Sequence, residues 1–325
     1  MTPPVGFASA DFIPERGGVA MPAAGLARGR LAAVVADVAQ LVRPKISLMV
    51  LATVVAAYWL TAGRPAAVAP FLALLAGTAL VAASSSIANQ ILERHSDRRM
   101  PRTARRPVAT GRLGIGAAGA LAAVTLGVGT AAIVTASGWQ PAAAALATWL
   151  VYVGIYTPLK RITPLNTAVG AVAGALPVAI GWLAADGPAR LASGDGSGAL
   201  AAAALGTVLY LWQFPHFMAI AWLYRDQYAA ADLRMLTVLD PTGLRAAGQS
   251  LAAALAMVPV SLVLAVPSGS PRLFFVASVC SAVYVAAAIR FAVRRDRPGA
   301  RLLLFTSLGS LLGLLVAAVT LGAAS

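Results

Sequence analysis

Three side chains with oxygen or amide groups stand at a regular spacing near the end of an apolar run. Asn89, Glu93 and Asp97 are four residues apart. On an α-helix a step of four residues turns the chain by about 400°, so the three side chains share one face. An amide and two carboxylates are hard oxygen ligands of the kind that Mg²⁺ prefers. The spacing therefore indicates a divalent-cation site.

A dense set of arginines follows this ladder of oxygen ligands. Its members are Arg98, Arg99, Arg102, Arg105 and Arg106. Guanidinium groups can fork onto phosphate oxygens, and carboxylates that hold a metal beside such groups describe a diphosphate site. The alternative is a solvated loop that flanks a membrane span, which explains the arginines but not the spaced acids.

A second polar stretch lies between two later apolar runs. Tyr156 and Lys160 are one helical turn apart, so a phenol and an ammonium can face one ligand. Lys160 and Arg161 have the alternative role of anchors at the membrane surface. Thr163 and Asn166 stand at the start of the next run, where they can cap a helix and present backbone amides to an anion.

A third stretch places polar groups inside an apolar run. Gln213 and His216 flank Pro215, which leaves a backbone carbonyl without its helical partner. Polar groups at membrane depth are costly and usually face a cavity, although His216 could instead bond a neighbouring helix. Asp226 and Asp232 follow, six residues apart and so on different faces of one helix. Asp226 is the preferred candidate for a further metal ligand.

Composition assigns the chain to membrane proteins. Of its 325 residues 59% are hydrophobic and 11% are charged, and the mean hydropathy is +0.80, whereas soluble domains carry about 25% charged residues. The net charge of +14 would suggest nucleic acid for a soluble domain, but here the charges lie between apolar runs, so no nucleic-acid partner is expected. The single cysteine, Cys280, excludes a disulfide framework and a thiolate metal site.

The apolar runs predict an all-α polytopic bundle of about nine transmembrane helices. Each run is close to the roughly 20 residues that cross a bilayer. The predicted spans are 46–62, 69–91, 114–136, 141–157, 165–185, 199–219, 247–266, 271–291 and 301–323. Only Arg64, Arg190 and Arg272 fall on one side of this topology, while the other 22 of the 25 Lys and Arg fall on the opposite side. The positive-inside rule then predicts a cytoplasmic N-terminus and a periplasmic C-terminus.

The N-terminal segment differs from the rest of the chain. Residues 1–40 lack a sustained apolar run and are predicted to be a flexible cytoplasmic tail, and residues 41–325 form the transmembrane domain. No signal-peptide core follows Met1, and Asp11 and Glu15 argue against a mitochondrial presequence. The expected location is the bacterial cell inner (plasma) membrane.

Taken together, the polar stretches resemble one family. The shared patterns are Asn89-Gln90-x-x-Glu93-x-x-x-Asp97-x-x-Met100-x-Arg102-Thr103-x-x-Arg106-Pro107, Tyr156-Thr157-x-x-Lys160-Arg161-x-Thr163-x-x-Asn166 and Trp212-Gln213-x-Pro215-His216-Phe217. They resemble the protoheme IX farnesyltransferases, or haem O synthases, a family of intramembrane UbiA-type prenyltransferases, from about Arg43 to the last span. The chain departs from the family pattern at Glu93, where many bacterial members have Asp, and at Asp232, where members usually have Gly.

This resemblance implies transfer of the farnesyl group of farnesyl diphosphate to a vinyl group of haem B, with Mg²⁺ required and with haem O and diphosphate as products. Both substrates would enter from the lipid bilayer. The metal ligands it implies are Asn89, Glu93, Asp97 and Asp226. The other catalytic and substrate-binding residues it implies are Tyr156, Lys160, Arg102, Arg106, Arg161, Asn166, Gln213 and His216. We hypothesise that His216 is an axial ligand of the haem iron.

Two other functions remain open from the residues. A UbiA-type enzyme that prenylates an aromatic acid or a chlorophyll-like ring would share the acids but gives no reason for the pattern from Trp212 to His216. A transporter could use Glu93, Asp97 and His216 as a proton relay beside a broken helix, although its site is expected at the membrane midplane. The sequence also leaves open whether a haem A synthase or an oxidase assembly factor docks on the protein as a partner.

Overall fold

The computed structural model of the chain describes residues 23–322, with side chains from residue 32 onward. Within this range every regular element is helical, as the sequence predicts. The elements are α1 (Ala23–Val42), α2 (Pro44–Ala62), α3 (Val68–Arg98), α4 (Pro107–Thr110), α5 (Ile115–Ser137), α6 (Trp139–Trp149), a π-helical turn (Leu150–Tyr156), α7 (Thr157–Leu159), α8 (Asn166–Ala175), α9 (Pro177–Ala184), α10 (Gly187–Ala192), α11 (Ser197–Leu223), α12 (Arg225–Ala230), α13 (Leu236–Leu239), α14 (Leu244–Val263), α15 (Pro271–Arg294) and α16 (Arg297–Leu321).

Nine helical stretches in the described part of the chain are long and apolar enough to cross a membrane, which confirms the nine-span prediction. They are Pro44–Ala62, Val68–Arg98, Ile115–Ser137, Trp139–Leu159, Asn166–Ala184, Ser197–Leu223, Leu244–Val263, Pro271–Arg294 and Arg297–Leu321. Large apolar side chains such as Phe275 and Phe305, each 68% exposed, face outward from them. An outer surface of this kind requires lipid around it.

The predicted tail, residues 1–40, is only partly covered by the structure. Residues 1–22 lie outside the described residues, and α1 begins at Ala23. The residues from Ala39 onward form one compact unit, which is described below by itself. Its last three residues, 323–325, also lie outside the described range.

Helices α3 and α5 approach each other closely through a pair of glycines. A Cβ atom on Gly77 would lie 2.7 Å from the carbonyl oxygen of Gly129, and a Cβ on Gly129 would lie 2.7 Å from that of Gly77. Small residues allow two backbones to meet in this way in lipid, where packing rather than water exclusion holds helices together. The contact fixes the position of α3, which carries Glu93 and Asp97.

We expect Gly129→Ala to destabilise the bundle by about 1–3 kcal/mol, because the added methyl group must push two backbones apart. The measurement is the thermal unfolding of the detergent-solubilised protein. Gly127→Ala is the matched control, since a Cβ at Gly127 meets nothing within 4 Å. Equal unfolding temperatures for the two variants would contradict this account of the contact.

The span from Trp139 to Leu159 is interrupted by the π-helical turn. Pro158 follows this turn and has no backbone N–H to donate, so a regular α-helical hydrogen-bond ladder cannot run through it. The hydroxyl of Thr157 donates to the carbonyl oxygen of Tyr152 over 2.9 Å. Turns of this type concentrate at functional sites, and this one carries Tyr152 and Tyr156 into the wall of the cavity described next.

The connection after α11 folds back over the end of the bundle where α7 and the following loop lie. The backbone N–H of Arg234 donates to the carbonyl oxygen of Lys160 over 2.7 Å. Thr237 donates its hydroxyl hydrogen to the carbonyl oxygen of Ala221 over 2.9 Å. Met100, from the loop after α3, packs into a buried apolar cluster with this connection. Three polar stretches of the sequence are thereby held at one end of the bundle.

Candidate active site

A cavity of about 660 Å³ runs into the bundle from the end where these polar stretches meet. Its wall includes residues of α2, α3, the π-helical turn, α8, α11 and α16. Along α3 the wall extends from Thr78 to Asp97, about 28 Å at 1.5 Å per residue. The volume is in the range of small-molecule sites in proteins. The cavity can therefore hold an extended ligand with one end at the charged mouth.

Two carboxylates and two cations form an ion-pair network at this mouth. Lys160 Nζ lies 2.6 Å from Glu93 Oε1, and Arg106 Nη1 lies 2.9 and 2.8 Å from the two carboxylate oxygens of Asp97. Arg106 Nη1 also lies 3.8 Å from Glu93 Oε2. None of the four side chains is more than 14% exposed. Because burying charges offsets much of what their pairing contributes, such a network indicates function rather than stability.

The protonation of Lys160 follows from this pairing. Burial alone would lower the pKa of Lys160, but the adjacent Glu93 carboxylate outweighs it and raises the pKa above its ordinary value. The ammonium also lies 4.3 Å from the ring centroid of Tyr156, over a face that attracts cations. A raised pKa keeps Lys160 charged at and above neutral pH, so the positive end of the site does not depend on mild alkaline titration.

Two buried amide oxygens accompany the carboxylates. Asn89 Nδ2 donates to Thr157 Oγ1 over 3.0 Å, which leaves Asn89 Oδ1 buried without a partner among the described residues. Asn166 donates to the carbonyl oxygen of Thr163 over 2.6 Å, and its own Oδ1 is likewise buried without a partner there. Unsatisfied buried acceptors are costly unless a ligand or ion completes them.

This donor set fits Mg²⁺ that is shared with a diphosphate. Among residues 23–322 no three His, Cys, Asp or Glu side chains lie close enough to hold a metal by themselves. Mg²⁺ in proteins is usually bound by one or two carboxylates together with substrate phosphates and water. Glu93 and Asp97 line the cavity and supply that pair of carboxylates.

Arg102 is held over the mouth by aromatic side chains. Its Nη2 donates to the hydroxyl oxygen of Tyr228 over 2.7 Å. Its guanidinium carbon lies 5.0 Å from the ring centroid of Tyr224 and 5.1 Å from that of Tyr228. Stacking and hydrogen bonding together fix the direction of a long side chain that would otherwise be mobile. Arg102 can therefore present its remaining donors to an anion in the cavity.

Polar groups deeper in the cavity come from α11. Gln213 Nε2 donates to the carbonyl oxygens of Ala171 and Leu209, each over 3.1 Å. His216 stands one turn further along α11 and stacks on Trp212 with ring centroids 4.6 Å apart. Gln213 and His216 both line the cavity, as the sequence suggested for polar groups at membrane depth.

The structure brings most of the predicted site residues to this one cavity. Those that line it are Glu93, Asp97, Arg102, Arg106, Tyr156, Lys160, Asn166, Gln213 and His216. Sequence reasoning missed further lining residues: Arg43, Lys45, Tyr152 and Tyr228. The first two flank Pro44 at the start of a span, which is also the pattern of ordinary membrane anchors.

Three predicted residues lie away from the cavity wall. Asn89 is fully buried behind Thr157, and Arg161 is exposed. The side chain of Asp226, on the short helix α12, is 87% exposed and lies 3.8 Å from Arg225. Their roles toward metal and substrate stay predictions. Asp232, which was the weaker candidate, has a positive φ of 55° and pairs with Arg99 outside the cavity.

The position of Gln213 depends on the absence of a side chain on α8. A Cβ atom on Gly174 would lie 2.3 Å from Gln213 Oε1 and 2.4 Å from its Nε2. We expect Gly174→Ala to displace this amide from Ala171 and to lower kcat/KM by about 10- to 100-fold, the effect of a misplacement near 1 Å. Gly206→Ala, at a site on α11 with nothing within 4 Å of a new Cβ, is the control. Equal activity of the two variants would remove Gln213 from the site.

The fold and the site together define a class of polytopic membrane protein in which buried carboxylates and cations meet at the mouth of a deep apolar cavity. Sequence comparison agrees, since a profile of the UbiA prenyltransferase family matches residues 50–322. The chain belongs to the UbiA prenyltransferase family.

Individual relatives within this family are similar along most of the chain. The protoheme IX farnesyltransferase of Rhodopirellula baltica is 43% identical over 249 residues, which cover 77% of this chain and 84% of that protein. The protoheme IX farnesyltransferase of Solibacter usitatus is 34% identical over 281 residues, which cover 83% and 93%. These similarities confirm the family resemblance seen in the three polar stretches.

Solved structures share the fold at low identity. A structure of digeranylgeranylglyceryl phosphate synthase has a TM-score of 0.72 at 12% identity, covering 89% of this chain and 98% of that one. A UbiA homologue from Archaeoglobus fulgidus, bound to GPP and Mg²⁺, has a TM-score of 0.59 at 15% identity, covering 87% and 99%. They confirm an all-α intramembrane bundle of the UbiA type.

Proposed function

We propose that this chain transfers the farnesyl group of farnesyl diphosphate to a vinyl group of haem B, giving haem O and diphosphate. The names of the two relatives described above support this activity. The observation that carries the proposal is the cavity itself. It joins a mouth of buried cations and carboxylates to an interior of apolar and aromatic side chains that includes His216. A prenyl diphosphate has the same order of polarity, with a charged head and an apolar chain. The histidine in the interior offers a contact for a porphyrin.

The charge balance of the cavity suits a diphosphate head. Among the described residues that line the cavity, five cationic side chains outnumber two carboxylates, Glu93 and Asp97. The cations are Arg43, Lys45, Arg102, Arg106 and Lys160. As the bond between C1 of the prenyl chain and oxygen breaks, negative charge grows on the leaving diphosphate. Fixed cations in a site of low dielectric stabilise that charge more than water does, which lowers the barrier.

The carboxylates fit a divalent cation at the same mouth. Glu93 and Asp97 would hold Mg²⁺, and Asn89 and Asp226 are the further ligands predicted from the sequence. When bound, Mg²⁺ supplies electrostatic neutralisation of the diphosphate. A metal of this kind accompanies GPP in the Archaeoglobus fulgidus homologue. Lys160 and Arg106 lie 2.6 and 2.8 Å from these carboxylates, so both cations are close enough to contact a diphosphate that binds the same metal.

The inner part of the cavity suits the carbon chemistry. Loss of diphosphate leaves an allylic cation, which the faces of Tyr152, Tyr156 and Trp212 can stabilise without reacting as strong nucleophiles. The vinyl group of haem B then donates its π electrons to this cation, and the new carbon–carbon bond leaves the positive charge on the vinyl carbon next to the porphyrin ring. One water molecule adds to that carbon and releases a proton, so farnesyl diphosphate, haem B and water together give haem O and diphosphate. Exclusion of water from the apolar interior protects the cation until it meets the vinyl group.

The cavity also opens to the side of the bundle. Ile46 and Leu48 of α2 and Leu308 of α16 line it, and they are 48%, 67% and 40% exposed. An apolar, exposed lip supports entry of farnesyl diphosphate and haem B from the bilayer. The charge distribution supports a cytoplasmic N-terminus and a periplasmic C-terminus in a bacterial inner membrane. Docking of a haem A synthase or an oxidase assembly factor stays a prediction.

Incubation of the purified protein with haem B, farnesyl diphosphate and Mg²⁺ tests the proposed function. We expect mass analysis of the extracted haem to show haem O, and we expect chelation of divalent cations to abolish its formation. A parallel reaction supplies an aromatic acid in place of haem B. Prenylation of that acid alone would favour the aromatic prenyltransferase alternative, and absence of any prenyl transfer would contradict the proposal.

A further inference from the structure

His216 is held in one tautomer by a serine on a neighbouring helix. Its Nδ1 lies 2.8 Å from the hydroxyl oxygen of Ser307 on α16. That hydroxyl also lies 2.6 Å from the carbonyl oxygen of Leu304, which can only accept, so we assign its single hydrogen to Leu304 and its acceptor role to the ring. Nδ1 of His216 therefore carries the proton, and Nε2 carries the lone pair.

The same serine also fixes the plane of the imidazole. Trp212 stacks on His216 with an interplanar angle of 23°. The indole Nε1 of Trp212 donates to the carbonyl oxygen of Ser307 over 2.7 Å. Ser307 itself is fully buried behind the cavity wall. The hydroxyl of Ser307 thus holds His216, and the carbonyl of Ser307 holds Trp212.

This arrangement leaves Nε2 of His216 free for a ligand. Within the described part of the chain, Ser307 is the hydrogen-bond partner of the ring, through Nδ1, and no residue there bonds Nε2. His216 lines the cavity beside Gln213. An imidazole whose Nδ1–H is bound by an outer group, and whose Nε2 is free, is the form in which histidine coordinates a metal.

We propose that Ser307 is a positioning residue that presents Nε2 of His216 to the iron of the haem substrate. This inference rests on the proposed function, because it requires haem B in the cavity. Coordination at the iron fixes the porphyrin at one point, and the cavity wall then limits its rotation about that point. Ser307 would thereby help to place one vinyl group at the reacting end of the farnesyl chain.

Titration of the full-length purified protein with haem B, followed by its optical spectrum, tests this proposal. We expect the unmodified protein to give the Soret band of a histidine-bound haem and His216→Ala to lose it. Loss of an outer hydrogen bond weakens metal affinity about 10- to 100-fold, so Ser307→Ala should raise the Kd for haem by that factor. Ser307→Thr, which keeps the hydroxyl acceptor, should restore most of the affinity and the band.

Ser281→Ala is the matched control, since it removes a buried interhelical hydroxyl bond, 2.6 Å long, to Ser261 and not to His216. It should bind haem with unchanged affinity and spectrum. A Ser307→Ala protein that keeps both the affinity and the band would overturn the positioning role, and an unchanged band in His216→Ala would overturn ligation. When one of these two outcomes is observed and the unmodified protein still makes haem O, only the inference about Ser307 and His216 fails. When the unmodified protein makes no haem O, the proposed function fails.

Discussion

The Asp97→Asn variant is expected to form haem O on the order of 10³-fold more slowly than the unmodified protein. Asn keeps the size of Asp and one acceptor toward Arg106, so insertion and folding should survive. The variant loses a carboxylate that is 1% exposed and bonded through both oxygens to Arg106. Without that charge the mouth of the cavity cannot balance a divalent cation against its arginines. Glu93→Gln should have a similar effect for the same reason.

The measurement is kcat/KM for haem O formation over a range of Mg²⁺ concentrations. Both variants should need more Mg²⁺ for half of their residual activity, which a general loss of structure would not produce. Asp195→Asn is the control, because it makes the same chemical change at a half-buried position between α10 and α11 that does not line the cavity. Substantial turnover by Asp97→Asn at ordinary Mg²⁺ concentrations would show that the metal is held elsewhere.

Lys160→Met is expected to lower kcat by about 10²- to 10³-fold, the effect of removing one group that stabilises charge in a transition state. The ammonium lies 2.6 Å from Glu93 and 4.3 Å from the Tyr156 ring centroid, and its side chain is only 13% exposed, so bulk water cannot replace its charge. Methionine fills a similar volume without charge. Arg106 is the nearest remaining cation, 3.8 Å from Glu93, and it is already bonded to Asp97.

The comparison variants for Lys160 separate its charge from its position. Lys160→Arg keeps the charge but spreads it over a planar group, so we expect partial activity. Arg245→Met removes a cation from an exposed position outside the cavity and should leave turnover unchanged. The raised pKa of Lys160 adds a pH criterion: activity should show no alkaline loss due to this residue at or below its ordinary pKa of 10.5. Near-normal kcat in Lys160→Met would exclude a role in leaving-group stabilisation.

Hydropathy predicted the spans well because lipid imposes one length and one polarity on each of them. The largest difference is the end of α3, which was placed at residue 91 and lies at Arg98. The apolar run does stop near residue 91, but the helix continues because Glu93 and Asp97 find cationic partners inside the bundle. Those partners, Lys160 and Arg106, are not visible in a sliding window of hydropathy.

The site was predictable where its residues share a local spacing. The four-residue steps place Glu93 and Asp97 one turn apart on one helix. Tyr156 and Lys160 also stand four residues apart, and the ammonium of Lys160 contacts the ring of Tyr156. The pairing of Lys160 with Glu93 joins residues 67 positions apart and depends on how the π-helical turn aims the chain. Spacing along the sequence carries no information about such a contact.

Ser307 could not have been found from its sequence context. A serine in an apolar span usually bonds a carbonyl in its own preceding turn, as Ser307 does with Leu304. Its second role, toward His216 and Trp212, arises only from the packing of α16 against α11. Asp226 illustrates the converse case, since an acid in a promising motif is directed outward by the short helix that carries it.

The paired charges at the cavity mouth bear on how a ligand can enter a lipid-embedded protein. Glu93 and Lys160, and Asp97 and Arg106, neutralise one another before any substrate arrives. A magnesium diphosphate brings its own opposite charges, so its arrival exchanges counter-ions between four groups already in place. Each of these four groups then has an opposite charge beside it before and after the ligand enters, so the apolar interior never has to accommodate an unpaired ion.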